Sequence, residues 1–379
     1  MRVNLKRRTN NTYKKHSRQH GVLWLKRHST MKEILDKLDN ITNLTEHYLV
    51  KAKTSGHIYF TEFLEAANII RPLLTPKEFE YWCLEKMLLK QQPFAEKTFI
   101  QYAVETSVVR FFGERFPTDF KVEAKINPNN DKDVDCQFID NGYKFNVEVK
   151  CSDFVSKEKI DNKDGFKFGT VGRLPDRGEK AMTVLSAALD EGLTKKGEPL
   201  KPHLRSKNMD NNMKEFLELA HEKFDPTPNE NEVNVLIVGC GDEHDIQNWF
   251  NYLWAEEGLF TNQSFADNSK YKNVDLVVLT NQYFKHSKYF DKKTSNCWSL
   301  DKCFNLISSN PYRHLAKEKA MKHFVEILPN FSQELSTYKV PGGAPDYVKN
   351  TVRISYFVKD NLEKTQNIFL FSDNQPQVN

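Results

Sequence analysis

From about residue 30 to 115, apolar residues recur at intervals of three and four in MKEILDKLDNI, FTEFLEAANII and FEYWCLEKMLL. This is the period of helices with one buried face. Thr75-Pro76-Lys77-Glu78 has the spacing of a capping box with proline at the first helical position, so a helix is predicted to begin at Thr75. A further helix, FAEKTFIQYAVETSVVRFFGERF, gathers Phe99, Ala103 and Val104 on one face, with Ser107, Val108 and Phe111 a turn later. After Pro117 the period falls to two. FKVEAKI, DCQFI and YKFNVEVKC alternate, and Asp140-Asn141-Gly142 is a turn signal, so this stretch predicts a strand meander.

Residues 152–232 are polar and lysine-rich, with two helical patterns, GEKAMTVLSAALDEGL and MKEFLELAHEKF, and read as an insertion. VNVLIVG and VDLVVLT follow, separated by the helical IQNWFNYLWAEEGL, an arrangement that predicts parallel, fully covered strands joined by a crossover. Trp249, Tyr252 and Trp254 sit at helical spacing there, which favours core packing over a base-stacking surface. Beyond them come a helix in HLAKEKAMKHFVEIL, a loop at Pro341-Gly342-Gly343-Ala344-Pro345, and two predicted strands, VRISYFV and NIFLFS. The expected organisation is a basic arm over 1–30, a helical unit over 31–97, and an α/β domain over 98–372 with the insertion 152–232. Its expected architecture is a central mixed sheet with helices on both faces.

Hydrophobic residues make up 39% of the 379 and charged residues 28%, enough to bury a core and to exclude wholesale disorder. No apolar run approaches the roughly 20 residues of a membrane-spanning helix. The basic N-terminus carries only VLWL as an apolar patch, too short for a signal-peptide core, so a cytoplasmic protein with no membrane association is expected. Six cysteines without a CxxC pair fit reduced thiols. Cys240 and His244, with His286, Cys297 and Cys303, lack the tight ligand pairs of a structural zinc site. The net charge is only +4, yet residues 1–31 hold nine Lys or Arg and no acid, a distribution suited to phosphate contacts or to a solvated tail.

Successive side chains of a strand point to opposite faces. In YKFNVEVKC, Tyr143, Phe145, Val147 and Val149 therefore share one face, and Lys144, Asn146, Glu148 and Lys150 the other. The Asp140-Asn141-Gly142 turn folds the Asp135 strand antiparallel against this one and brings a second carboxylate beside Glu148. Two converging carboxylates form a hard-oxygen site suited to Mg²⁺ or Mn²⁺, with the Val149 carbonyl as a third protein ligand. Lys150 would hold the attacking water and offset charge building on a phosphoryl group.

Asp135, twelve residues, then Glu148-Val149-Lys150 resembles the signature of the PD-(D/E)xK, or restriction-endonuclease-like, nuclease superfamily. The likeness spans roughly residues 100–151. It implies a core of helix, three-strand meander, crossover helix and further strand, with Asp135 and Glu148 binding metal and Lys150 serving catalysis. It also implies DNA as substrate, with a restriction or antiphage setting and a homodimer or a defence-system partner protein. Glu105 corresponds to an acidic position that some members use near the metal. Val134 replaces the usual proline, and Asp133, on the same strand face as Asp135, offers a competing assignment.

Lys157, Lys159, Arg173, Arg177, Lys180, Lys195 and Lys196 are candidate phosphate contacts after the Glu-Val-Lys strand. Two other readings compete with the nuclease. One is a nuclease fold that binds nucleic acid or protein without cutting. The other is a methyltransferase using S-adenosylmethionine, suggested by Gly239-Cys240-Gly241 after a strand, although no third glycine follows.

Overall fold

The computed structural model describes residues 30–41, 44–90, 93–168, 175–205, 209–227, 229–290, 294–340, 342–344, 346–358 and 360. The basic arm up to residue 29, Arg173, the Arg177 side chain and the NIFLFS segment lie outside the described residues. The chain divides into two units between Ala95 and Glu96.

The first unit is helical: α1 runs through residues 30–39, followed by α2 (Tyr48–Ser55), α3 (Ile58–Ile70) and α4 (Pro76–Tyr81). Thr75 caps α4 as its spacing predicts, its side chain accepting from the Glu78 N–H while Glu78 accepts from the Thr75 N–H at 2.7 Å. Phe63, Phe79 and Trp82 stack in its core.

The second unit is built on a mixed six-stranded sheet flanked by helices, the α/β class expected. In chain order its first elements are α5 (Glu96–Arg115), β1 (Phe120–Lys125), β2 (Asp133–Asp140), β3 (Tyr143–Cys151), α6 (Phe154–Asp161), β4 (Phe166–Phe168), α7 (Pro175–Lys196) and β5 (His203–Arg205). They continue with α8 (Asn212–Lys223), β6 (Glu232–Gly239), α9 (Glu243–Trp254), β7 (Leu276–Thr280), α10 (Gln282–Ser287), β8 (Asn305–Ser309), α11 (Glu318–Ile327), α12 (Ser332–Ser336) and α13 (Asp346–Phe357). The large sheet has the order β1-β2-β3-β6-β7-β8, and β4 with β5 makes a separate parallel pair. β1, β2 and β3 pair antiparallel, β3, β6 and β7 pair parallel, and β8 closes the far edge antiparallel.

The β2–β3 hairpin turns on Asn141 and Gly142, with φ of 49° and 79°. Two successive left-handed residues match the twist of the flanking strands, which is why Asn-Gly serves here. Phe138 of β2 and Phe145 of β3 stack on each other, and Phe112 of α5 lies 4.5 Å from Phe138. Phe324 of α11 covers Phe145 from the same side. β6 and β7 are buried along their whole length, so both faces of the central sheet are covered.

α8 belongs to this cover. Met213, Phe216, Leu217 and Ala220, at helical spacing, are buried, and Phe216 stacks on Trp249 of α9. The last helix of the lysine-rich segment is thus the one that carries the chain across the sheet from β3 to β6. Trp249 and Tyr252 are buried, and the half-buried Trp254 donates to Ser308 Oγ at 3.2 Å, so these aromatics pack the core.

One expected strand is overturned. VRISYFV lies at the end of α13, because its buried side chains, Ile354, Phe357 and Val358, are spaced three and four apart. Among the described residues no helix is long and apolar enough to cross a membrane.

Candidate active site

The pairing of β2 with β3 runs from Asp140↔Tyr143 to Cys136↔Val147 and stops there. Beyond that point the Asp135 carboxylate takes the place of the next rung: Val149 donates its N–H to Asp135 Oδ2 at 2.6 Å. The N–H and C=O of one strand residue point to the same side, so the Val149 carbonyl also faces the Asp135 flank of β3. Asp135 is therefore the carboxylate that the fold brings to the Glu-Val-Lys strand. Asp133 sits further out, opposite Lys125 of β1.

Glu148 is fully buried. Its Oε1 is met by two ammonium groups in close ion pairs, Lys150 Nζ at 2.6 Å and Lys223 Nζ at 2.7 Å, and neither carboxylate oxygen is in regular hydrogen-bond geometry. The strand alternation places Glu148 and Lys150 on one face, as expected. Lys223, the last residue of α8, approaches from the layer over that face, where a helix C-terminus favours a cation. Asn127, between β1 and β2, donates to the Glu222 and Phe224 carbonyls at 2.8 and 3.1 Å and so fixes the end of α8 that carries Lys223.

Burial, then the like charges of Glu148 and Glu105, push the Asp135 carboxyl well above the usual range, against the pull of Lys223 and the Val149 N–H. Burial works against the charge on Lys150. The Glu148, Asp135 and Glu105 carboxylates outweigh it and hold the Lys150 pKa above the ordinary lysine value. Glu105 on α5 thus acts on the same cluster. Another α5 residue, Gln101, donates to the Cys151 carbonyl at 3.1 Å and ties the helix to the end of β3.

A band of buried polar groups crosses the sheet beside Glu148. Gln137 donates to Asn146, Asn146 to Asn234 and Glu232, and the Asn234 N–H to Asp275, at 2.7 to 2.8 Å. The band ends at Lys317, whose ammonium is 2.8 Å from Asp275 Oδ2, both side chains at most 1% exposed. Each polar group of the band is met by the next, so the face around Glu148 holds a fixed geometry.

The candidate phosphate contacts disperse. Lys157 turns inward to Asp245 Oδ1 at 3.2 Å, and burial pushes the Asp245 carboxyl up to about 6 despite that lysine. Lys159, Lys180 and Lys196 are exposed, and Lys195 pairs with Glu191 at 2.6 Å. Lys223, Asn127 and Gln101 escaped the sequence reading. The strand period reveals which residues share a face of β3, but nothing local in HEKF marks a lysine as lying over that face.

The glycines of the methyltransferase-like segment serve close packing. A side chain on Gly239 would meet Cys151 Sγ at 2.7 Å, and one on Gly241 would run into the Asp245 carboxylate. Of the zinc candidates, His286 contacts Ser107 and Gln282, and the Cys303 thiol contacts Gln282. Among the described residues no group of three His, Cys, Asp or Glu side chains is arranged to hold a metal ion.

No family model matches the chain, and no similar protein is found among curated proteins or solved structures.

Proposed function

We propose that this protein is a divalent-metal-dependent nuclease that hydrolyses DNA phosphodiester bonds, with Asp135, Glu148 and Lys150 as its catalytic residues on a restriction-endonuclease-like core. The observation that carries the reading is the meeting of the Asp135 carboxylate with the Glu148-Val149-Lys150 strand through the Val149 N–H. The residues suit Mg²⁺ or Mn²⁺: the buried Glu148 carboxylate, neither oxygen of which is in a regular hydrogen bond, stands near the Asp135 carboxyl, which burial and then the like charges of Glu148 and Glu105 push up. Two carboxylates are enough for Mg²⁺, which keeps several waters and completes its shell from substrate phosphate. The Val149 carbonyl would be the third protein ligand.

When bound, the cation would supply Lewis-acid polarisation of the phosphoryl oxygen and a more acidic water. Lys150 would place that water and offset negative charge on the pentavalent phosphorus, and the buried polar band would keep the carboxylate face rigid while it does so. The order α5, β1–β3, crossover with α8, then β6 supports the nuclease-core reading.

The test is cleavage of plasmid and single-stranded DNA with Mg²⁺ or Mn²⁺, wild type beside Asp135→Ala and Glu148→Ala, with EDTA controls. Metal-dependent cutting by wild type alone supports the assignment. Binding without cutting by wild type would favour the second reading, a nuclease fold that only binds, which is consistent with a Glu148 charge already met by two lysines.

A further inference from the structure

Two ammonium groups on one carboxylate oxygen is an uneven arrangement. Lys150 and Lys223 both crowd Glu148 Oε1, at 2.6 and 2.7 Å, while neither oxygen of this buried carboxylate is met in regular hydrogen-bond geometry. A buried carboxylate normally spreads its partners over both oxygens, because each unmet lone pair costs free energy. The two lysines also repel each other at this range, a cost offset by the shared anion and by the Asp135 carboxylate close by. Lys150 has no choice of place, since the alternation of β3 sets it beside Glu148. Lys223 comes from a different element, at the end of a long flexible stem with 21% of its side chain open to solvent.

We propose that Lys223 is an exchangeable counter-ion of the active site: it neutralises Glu148 in the metal-free state, yields when a divalent cation is bound, and then grips a phosphate of the substrate backbone. The proposal rests on the nuclease reading and deepens it by assigning a phosphate-binding role to a residue outside the Asp, Glu-x-Lys signature. The crossover segment that carries α8 then does more than connect β3 to β6. It delivers a positive charge to the carboxylate face from the layer above, and Asn127 is the positioning residue that sets the height of that charge by holding the carbonyls on either side of Lys223.

A residue with this role opposes the cation and assists the nucleic acid, a combination that a structural lysine does not produce. The experiment is Mn²⁺ binding to the full-length protein without nucleic acid, followed by electron paramagnetic resonance, for wild type, Lys223→Gln and Lys223→Arg. Removing one positive charge a few ångströms from the metal position should tighten Mn²⁺ binding roughly tenfold in Lys223→Gln. Lys223→Arg, which keeps the charge, should bind Mn²⁺ as wild type does.

In the second arm, DNA affinity of the Mn²⁺-bound proteins is measured against salt concentration on a cleavage-resistant phosphorothioate duplex. Lys223→Gln should bind more weakly, with the log–log salt slope shallower by about one, and Lys223→Arg should retain the slope. Unchanged or weakened Mn²⁺ binding in Lys223→Gln, while wild type binds the ion, overturns the proposal and leaves the nuclease reading standing. A wild-type protein that takes up no Mn²⁺ at millimolar concentration overturns both.

Discussion

The backbone N–H of Val149 is bonded to the carboxylate of Asp135 and not to a carbonyl of β2, so the antiparallel ladder of the hairpin ends in a side chain. Structure and chemistry can be separated at this position. Asp135→Asn keeps an oxygen that can accept from Val149 and should leave stability near wild type. Asp135→Ala strands the N–H and should cost about 1–3 kcal/mol. On the proposed reading both should lower metal-dependent cleavage by roughly 100-fold or more, because the site would lose a ligand to the cation. Urea denaturation beside plasmid cleavage distinguishes the two effects, and an active Asp135→Asn enzyme would remove Asp135 from the site.

Glu148 and Lys150 should separate cutting from binding. Glu148→Ala frees two ammonium groups and deletes a negative charge, so the variant should be inactive and hold DNA at least as tightly as wild type in EDTA. Lys150→Ala should also abolish cutting, with binding largely intact. Gel-shift titration in EDTA and cleavage in Mg²⁺ provide the comparison, and a Glu148→Ala protein that no longer binds DNA would contradict it.

The Lys317–Asp275 pair should prove costly to break. Neither side chain is more than 1% exposed, and Asp275 also accepts from the Asn234 N–H. Burial holds the Asp275 carboxyl above its ordinary pKa even with the ammonium beside it. Lys317→Met leaves that carboxylate without its counter-ion, and a loss of about 3–5 kcal/mol is expected in chemical denaturation. The double variant Lys317→Met, Asp275→Leu should recover part of it.

Acid sensitivity should come in part from His286. The ring is buried against Ser107, Gln282 and Trp298, and burial lowers its pKa from 6.5 to about 3. The folded state therefore resists a proton that the unfolded state accepts. This contribution is complete above the unfolded pKa and is lost progressively as pH falls from about 6.5 toward 3. By pH 5 the loss should reach about 2 kcal/mol. His286→Gln should flatten that portion of the stability profile, and a wild-type profile level from pH 7 to 5 would refute the assignment.

The residues that announced themselves in the sequence did so through short-range geometry. Alternation in YKFNVEVKC put Glu148 and Lys150 on one face, the Asn-Gly turn folded Asp135 back toward them, and the Thr75 cap marked the start of α4. The parallel placement of β6 and β7 followed from two apolar runs separated by one amphipathic helix. Long-range placement left no such trace. Lys223 reaches Glu148 only because α8 crosses the sheet, a fact that depends on Phe216 meeting Trp249 and on Asn127 holding the helix end. VRISYFV misled because β-branched and aromatic residues suggest a strand, whereas its burial follows the helical period. β8, with Asn305 and two serines in five residues, was too short and too polar to stand out.

The two lysines that meet at Glu148 belong to different moments in the life of the chain. Lys150 is present as soon as β3 is made, but Lys223 comes near the end of the crossover segment, and the β6 strand that lies against β3 comes after it. A chain synthesised only as far as Cys151 contains Asp135, Glu148 and Lys150, but lacks the β6 strand that pairs with β3. Its second counter-charge arrives with Lys223, and its parallel neighbour with Glu232–Gly239. Such a nascent chain carries the motif but not the cluster around Glu148, whose assembly is thereby deferred until α8 and β6 have been made.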